Sequence, residues 1–312
     1  MIETGTTVLV TGANGFVGGR VSAHLRQAGF TLRALVRPDS TRPPAPAEGF
    51  EVAPGDVSDA AAVAAAARGC QAVIHLAGIL RERGANTFGA VHVQGAENVV
   101  SACLRAGLRR LVHMSALGTG RGSTTGYFRS KEAAEQIVRP SGLDWTIIRP
   151  SVIHGPRGDF MIQMARMVSR PGPVPLVGRG LQIVQPVWVE DVARVFVEAL
   201  QRNATVGREY AVAGPDILTL REFYTILSRV LLGRPKRLMP VPAFVVRATA
   251  AAAARTMAHP PVTPDELQML EESRPCDIRP MTEAFGFEPA RFEETLAAYA
   301  AELRQAACST SP

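Results

Sequence analysis

Three glycines between an apolar β-branched run and a helical pattern exclude most folds for this chain within its first 27 residues. The segment reads TTVLVTGANGFVGGRVSAHLRQAGF. Residues 8–10 make a short strand. Gly12, Gly15 and Gly18 follow at G-x-x-G-x-x-G spacing, and Phe16, Val17, Val21 and Leu25 then recur at helical spacing. Each glycine has its own task. Gly12 permits the tight turn, Gly15 lets the backbone approach a pyrophosphate at the positive end of the helix dipole, and Gly18 lets the helix pack on the strand. In strand–turn–helix context the pattern predicts a dinucleotide site. Asn14, Phe16 and Val17 complete the binding residues expected in this turn.

The alternation continues. A strand over 31–37 ends in Arg37, with Arg33, Ser40 and Arg42 nearby. An arginine there pairs with a ribose 2′-phosphate, whereas an acid would accept from the 2′-hydroxyl. Arg37 therefore favours NADP(H) over NAD(H), with Asp39, just past Pro38, as the alternative acidic partner. A short strand over 50–54 runs into Gly55-Asp56-Val57, where Asp56 is expected to meet the adenine amino group. An alanine-rich helix follows, capped at Ser58-Asp59. A strand over 72–76 opens into Ala77-Gly78, a helix covers 92–107, a strand over 111–114 ends at Ser115, and the strand DWTIIRP spans 144–150. Strands alternating with helices predict an α/β fold with a parallel, doubly wound sheet. Ligands of such sheets bind at the carboxyl ends of the strands. Gly12, Asp56, Gly78, Ser115 and Pro150 all fall at such ends and are expected to line one crevice. Val57, Leu76, Ala77 and Val152 are the further cofactor contacts expected there.

Only two lysines occur in 312 residues, and Lys131 stands four residues after Tyr127. Four tyrosines and two lysines give a Tyr-x-x-x-Lys pair by chance with a probability of about 0.03. Residues i and i+4 share one helix face. An ammonium beside a phenol is expected to draw the tyrosine pKa below about 10 and make it a proton donor and acceptor near neutral pH.

Composition narrows the partners. The net charge of +6 is spread over 34 basic and 28 acidic residues without a dense basic run or interleaved aromatics, which argues against nucleic acid. A small-molecule substrate is the expected client, and anionic ligands such as phosphates suit the mild basic excess. Cys70, Cys103, Cys276 and Cys308 lie far apart and read as thiols of a reducing compartment. The start MIETGTT shows no secretion signal, so a cytoplasmic location is expected. Arg247 and Arg255 interrupt the apolar stretch 241–258. That stretch reads as a helix packed on the protein, with a membrane surface as the alternative. No phosphate loop of the G-x-x-x-x-G-K type, H-E-x-x-H zinc motif or G-x-S-x-G elbow is present. His75 and His113 fall inside strands and read as core or interface residues.

TGANGFVGG, GDV, IHLAG, Tyr127-x-x-x-Lys131, RPSVIHGP and VWVEDVA together resemble the extended and atypical short-chain dehydrogenase/reductase superfamily, which is NAD(P)-dependent epimerase/dehydratase-like, over about residues 5–215. LVHMSALG, SGLDWTIIRPSVIHGP and the tail TPDELQMLEE…FGFEPARFEETL look closest to the branch holding the nucleotide-binding accessory subunit of respiratory complex I. The resemblance implies a Rossmann domain over 1–155 plus about 183–206. A smaller, mainly helical lobe, over about 156–182 and 207–312, would close on the substrate. It implies Tyr127 as general acid/base, Lys131 holding the nicotinamide ribose and lowering the tyrosine pKa, and Ser115 orienting the substrate oxygen. It implies hydride exchange with a carbonyl or hydroxyl carbon. The chain departs from the pattern at Ala116, where a catalytic hydroxyl is usual, and at His92, where many relatives have asparagine. The alternative is a catalytically silent NADPH-binding subunit, structural or redox-sensing, docked on a respiratory membrane assembly. A homodimer is a further expectation. Arg149, Arg157 and Arg179 read as salt-bridge or surface residues, with an anionic substrate as the alternative.

Overall fold

The computed structural model describes residues 2–40, 50–257 and 262–309. Arg42, Ala258 and the Pro260-Pro261 pair lie outside the described residues. Two compact units emerge: residues 1–150, 189–212 and 279–287 form the first, and 151–188, 213–278 and 288–312 the second.

The first unit is built on a seven-stranded sheet. Its strands are β1 (Thr7–Thr11), β2 (Thr31–Val36), β3 (Phe50–Pro54), β4 (Ala72–His75), β5 (Arg110–Met114), β6 (Asp144–Pro150) and β7 (Arg208–Val212). They pair in the order β7-β6-β5-β4-β1-β2-β3, parallel throughout. The order reverses between β1 and β4, so the topological switch point lies where the glycine turn leaves β1. β7 joins the sheet although the sequence assigned everything after 207 to the lobe. Pairing with residues 146–150 of β6, distant in sequence, supplies the hydrogen bonds of this edge strand.

Helices cover both faces. α1 (Phe16–Gln27) packs with the helix Val189–Gln201, which also lies over β4, β5 and β6. Asp191 sits inside that helix's first turn. α2 (Ala60–Ala67), α3 (Gly95–Ala106) and α4 (Gly126–Val138) pack in series on the other side. Period-2 alternation directs Leu9, Val73, Leu111 and Ile147 into the core shared with α2 and α3. The same side therefore carries the cross-strand row Thr11, His75 and His113 one step nearer the carboxyl edge. Asp59 caps α2 by accepting from Ala61 and Ala62 N–H, as its position before the alanine run predicts.

The second unit has its own core. Met161, Val168, Leu176, Phe223, Leu227, Phe292 and Leu296 are buried together, and His154, Trp188 and Tyr299 make a ring cluster beside them. The helix Ala243–Thr256 is mostly exposed rather than packed down: Ala250 is its one buried residue, and Phe244 is 73% exposed. Alanine-rich composition gives helix propensity but little apolar area to bury.

Candidate functional site

The glycine turn is shaped by what its glycines lack. Gly12 has φ +73°, the left-handed region, and a Cβ there would stand 2.9 Å from Ala77 N. On Gly18 a Cβ would sit 2.8 Å from Ala13 Cα and closer still to Gly12 O. The strand ends of β1 and β4 therefore approach as backbone on backbone, and α1 lies directly on the turn. Gly15 caps α1 without a side-chain hydrogen bond, and the first turn of α1 carries no acid. Its orphan N–H groups thus point at a ready anion site. Asn14 Nδ2 donates to Ser40 Oγ at 2.6 Å. Phe16 is half-buried and Val17 buried.

At the far side of the crevice, a cleft of about 350 Å³ is lined by Arg37, Pro38, Asp39, Asp56, Ser58 and Asn86. Arg37 Nη1 donates to Asn86 Oδ1 at 3.0 Å, and its Nε lies 3.7 Å from Asp39 and 3.9 Å from Asp56. Asp56 Oδ1 accepts from both Ser58 N–H and Ser58 Oγ, so it also ties the turn after β3. Val57 is a core residue packed on Gly95, and its carbonyl accepts from Asn98 Nδ2 at 3.0 Å. Leu76 is buried, and Ala77 N–H donates to Thr11 Oγ1. Pro150 O accepts from Leu117 N–H, and Val152 packs against the second unit's core.

Tyr127 and Lys131 face one way from α4, whose first turn is capped by Thr125 Oγ1 accepting from Phe128 N–H. Lys131 is 2% exposed and donates to Met114 O at 3.0 Å, at the end of β5. Its Nζ also lies 3.2 Å from where a Cβ on Gly78 would stand. Burial pushes Lys131 down to about 8. Burial pushes the Tyr127 phenol up to about 12, the reverse of the lowering expected from sequence. The phenol packs among the rings of Phe88, His92 and Phe128, and the lysine's hydrogen bond goes to a carbonyl. Desolvation of the phenolate thus wins. Ser115 is buried, with Oγ 3.3 Å from Thr119 Oγ1, and Ala116 beside it is buried too. Arg149 does not face a ligand: it makes a bidentate pair with the buried Glu135 of α4 at 2.7 and 2.6 Å.

The sequence reading missed Thr119, Ser130 and Asn86, whose polar side chains carry no periodic signal. It read His75 and His113 as core or interface residues; both are buried, with burial holding His75 at about 3 and His113 well below the usual imidazole range. Neither ring nitrogen of His113 has a hydrogen-bond partner among the described residues.

These residues fit a dinucleotide: two side-chain-free contacts at the turn, an uncapped helix start without acids, and a basic group at the far cleft. A family model described as NAD(P)H-binding matches residues 12–203. The chain belongs to the NAD(P)H-binding family. Ceramide reductase of Caulobacter vibrioides is 30% identical over 73% of this chain and 72% of that protein. The (4-alkanoyl-5-oxo-2,5-dihydrofuran-3-yl)methyl phosphate reductase of Streptomyces griseus is 33% identical over 91% of this chain and 94% of its own length. Subunit 9 of the NADH dehydrogenase (ubiquinone) 1 alpha subcomplex, mitochondrial, of Arabidopsis thaliana is 32% identical over 46% of this chain and 36% of that protein. Among solved structures, MoeE5 in complex with UDP-glucose and NAD superposes with a TM-score of 0.74 over 96% of this chain and 99% of its own, at 21% identity. The fold is also that of the UDP-glucose 4-epimerase of Thermotoga maritima, with a TM-score of 0.74 over 96% of this chain and 99% of its own at 18% identity, so the resemblance to epimerase/dehydratase folds holds, and the chain is an NAD(P)-binding member of an oxidoreductase family.

Proposed function

We propose that the chain is an NADP(H)-dependent oxidoreductase of the short-chain type that reduces or oxidises a carbonyl/hydroxyl substrate. The observation that supports this reading most is the buried Lys131, one turn after Tyr127 on α4, donating to the last carbonyl of β5 beside Gly78. When bound, the cofactor supplies or takes the hydride. A phenol raised to about 12 is fully protonated at pH 7, so Tyr127 is poised to donate its proton to a carbonyl oxygen, the reductive direction. The ammonium of Lys131 keeps two protons beyond the one given to Met114 O, enough to hold ribose hydroxyls and to offset the phenolate left behind. Ser115, backed by Thr119, orients the substrate oxygen. The names of both reductase relatives denote molecules bearing alkyl or acyl chains, so long-chain ketones head the substrate panel. Tyr127→Phe is expected to lower NADPH-dependent turnover by about 100-fold or more while leaving NADPH affinity within about twofold. Unchanged turnover would overturn the assignment.

Cofactor choice follows from Arg37. Its guanidinium, fixed by Asn86 at the mouth of the far cleft, suits a 2′-phosphate. Tighter binding of NADPH than of NADH is expected. Arg37→Ala should weaken NADPH about 10- to 100-fold and leave NADH nearly untouched, measured by fluorescence titration. Equal losses for both cofactors would refute the preference.

A second reading is a cofactor-binding subunit without turnover, peripheral to a membrane assembly. Ala116 in place of a hydroxyl and the exposed apolar helix Ala243–Thr256 favour it. Co-purification with respiratory membrane subunits would support it. A soluble dimer with reductase activity would count against it.

A further inference from the structure

His92 does more than fill space beside α4. It lies 1% exposed in a wide helical turn, Gly89–Gln94, where the backbone bonding shifts from i→i+4 to i→i+5. Ile79 N–H donates to His92 Nε2 at 3.0 Å. That bond makes Nε2 the acceptor, so the ring proton is on Nδ1. Nδ1 lies 2.8 Å from Ser130 Oγ and donates to it. The Ser130 hydroxyl in turn donates to Tyr127 O at 2.7 Å. The chain of bonds has one direction and no slack. It begins at the backbone just after Gly78 and ends at the backbone of Tyr127 itself.

The ring contacts run in parallel. Phe88 stacks on His92, with centroids 5.5 Å apart and planes 21° apart, and Tyr127 meets His92 edge-on at 5.7 Å. A Cβ on Gly78 would stand 3.4 Å from His92 Nε2 and 3.2 Å from Lys131 Nζ. One imidazole therefore touches the loop after β4, the Ser130 hydroxyl of α4 and the Tyr127 ring. A flat ring with a donor on one edge and an acceptor on the other joins a backbone N–H of the loop to a hydroxyl of α4. An isosteric phenyl ring would keep the stacking and lose both bonds.

We propose that His92 is the positioning residue of the Tyr127–Lys131 pair, clamping the Gly78–Ile79 loop to the first turns of α4 through Ser130 so that the phenol is held in one bearing before any ligand arrives. The proposal rests on the reading of Tyr127 as proton donor only for its consequence in turnover. The clamp itself is a statement about the free protein and is tested there.

The test uses the full chain labelled at the single Cζ carbon of each tyrosine ring. Four tyrosines give four resonances, and Tyr127→Phe identifies the one that matters. In the wild type the Tyr127 line is expected to be as sharp as that of the buried Tyr224. Ser130→Ala cuts the clamp without touching the ring cluster. His92→Phe cuts it while keeping the stack. In both variants the Tyr127 line is expected to broaden about twofold or more by exchange between bearings, with the other three lines unchanged. The double variant should be no broader than either single one, because the bonds act in series. His92→Asn, which again offers one acceptor and one donor, should restore most of the sharpness. A Tyr127 line equally sharp in Ser130→Ala and His92→Phe would overturn the proposal, as would broadening in His92→Phe alone, which would mean packing rather than hydrogen bonding. Should His92→Phe fail to fold, Ser130→Ala carries the test. Failure of the proton-donor reading shows separately, as retained turnover in Tyr127→Phe.

Discussion

At the scale of single residues, this site is governed by what cannot be added and what cannot be solvated. Gly18 is the sharpest case of the first. Its missing Cβ would collide with two rigid backbone groups, Gly12 O and Ala13 Cα, neither of which can rotate away. Gly18→Ala is expected to cost roughly 1–3 kcal/mol in urea unfolding and to abolish NADPH binding, because α1 must lift from the turn. Full retention of both would mean that α1 does not rest on the turn. At Gly78 the corresponding obstruction is the end of the flexible Lys131 side chain, which can yield. The second rule explains Tyr127. A lysine four residues along the helix is close in sequence terms, yet its one hydrogen bond among the described residues runs to Met114 O, and the phenol sits among rings. Sequence spacing correctly gave the shared face. The direction of the pKa shift depended on burial, which the spacing does not contain.

At the scale of the element, α4 is fastened to the sheet by charge. Glu135, fully buried, pairs with Arg149 of β6 and Arg139 one turn on, and Glu209 of β7 bonds both arginines at 2.6 and 2.8 Å. A charge network this deep is costly to break, because each lost partner strands a buried ion. Glu135→Leu is expected to destabilise the protein by about 3 kcal/mol or more and to disturb Tyr127, which rides on the same helix. By contrast, Asp144→Ala, removing the exposed Arg109 pair at 3.3 Å, should cost about 1 kcal/mol or less. Equal effects in chemical denaturation would show that the buried network is not what holds α4. Glu135, Arg149 and Glu209 are ordinary charged residues in the sequence. Nothing in their spacing joins them, since β6 and β7 meet only when the sheet forms.

At the scale of the whole molecule, stability should fall in mild acid. His75 at about 3, His92 at about 2 and His113 well below the usual range stay neutral in the first unit, and His154 at about 3 does so in the second. Histidines of the unfolded chain take up protons near 6.5. Below that pH the unfolded state therefore binds protons that the folded state refuses, and each buried histidine removes about 1.4 kcal/mol per pH unit. The loss begins as pH drops through 6.5 and ends only near the folded values. Lys131 acts in the opposite range: held at about 8 against 10.5, it makes the fold gain stability as pH rises through that window. Urea midpoints at pH 7.5 and 5 should differ strongly, and His113→Phe should flatten the slope. A pH-independent midpoint would show that these rings are not buried neutral.

The sequence by itself determined the things that are local or periodic. The glycine turn, the β–α alternation, the parallel sheet and the placing of Tyr127 and Lys131 on one helical face each follow from residues within a few positions of one another. Backbone geometry and side-chain period act at that range. Only the tertiary structure decided the rest: the strand 208–212 recruited to the edge of the sheet, the exposed helix Ala243–Thr256, the Glu135 network, the raised phenol pKa and the His92 clamp. Each depends on what residues distant in sequence bring within a few ångströms. Burial and hydrogen-bond partnership are properties of that neighbourhood rather than of the chain order.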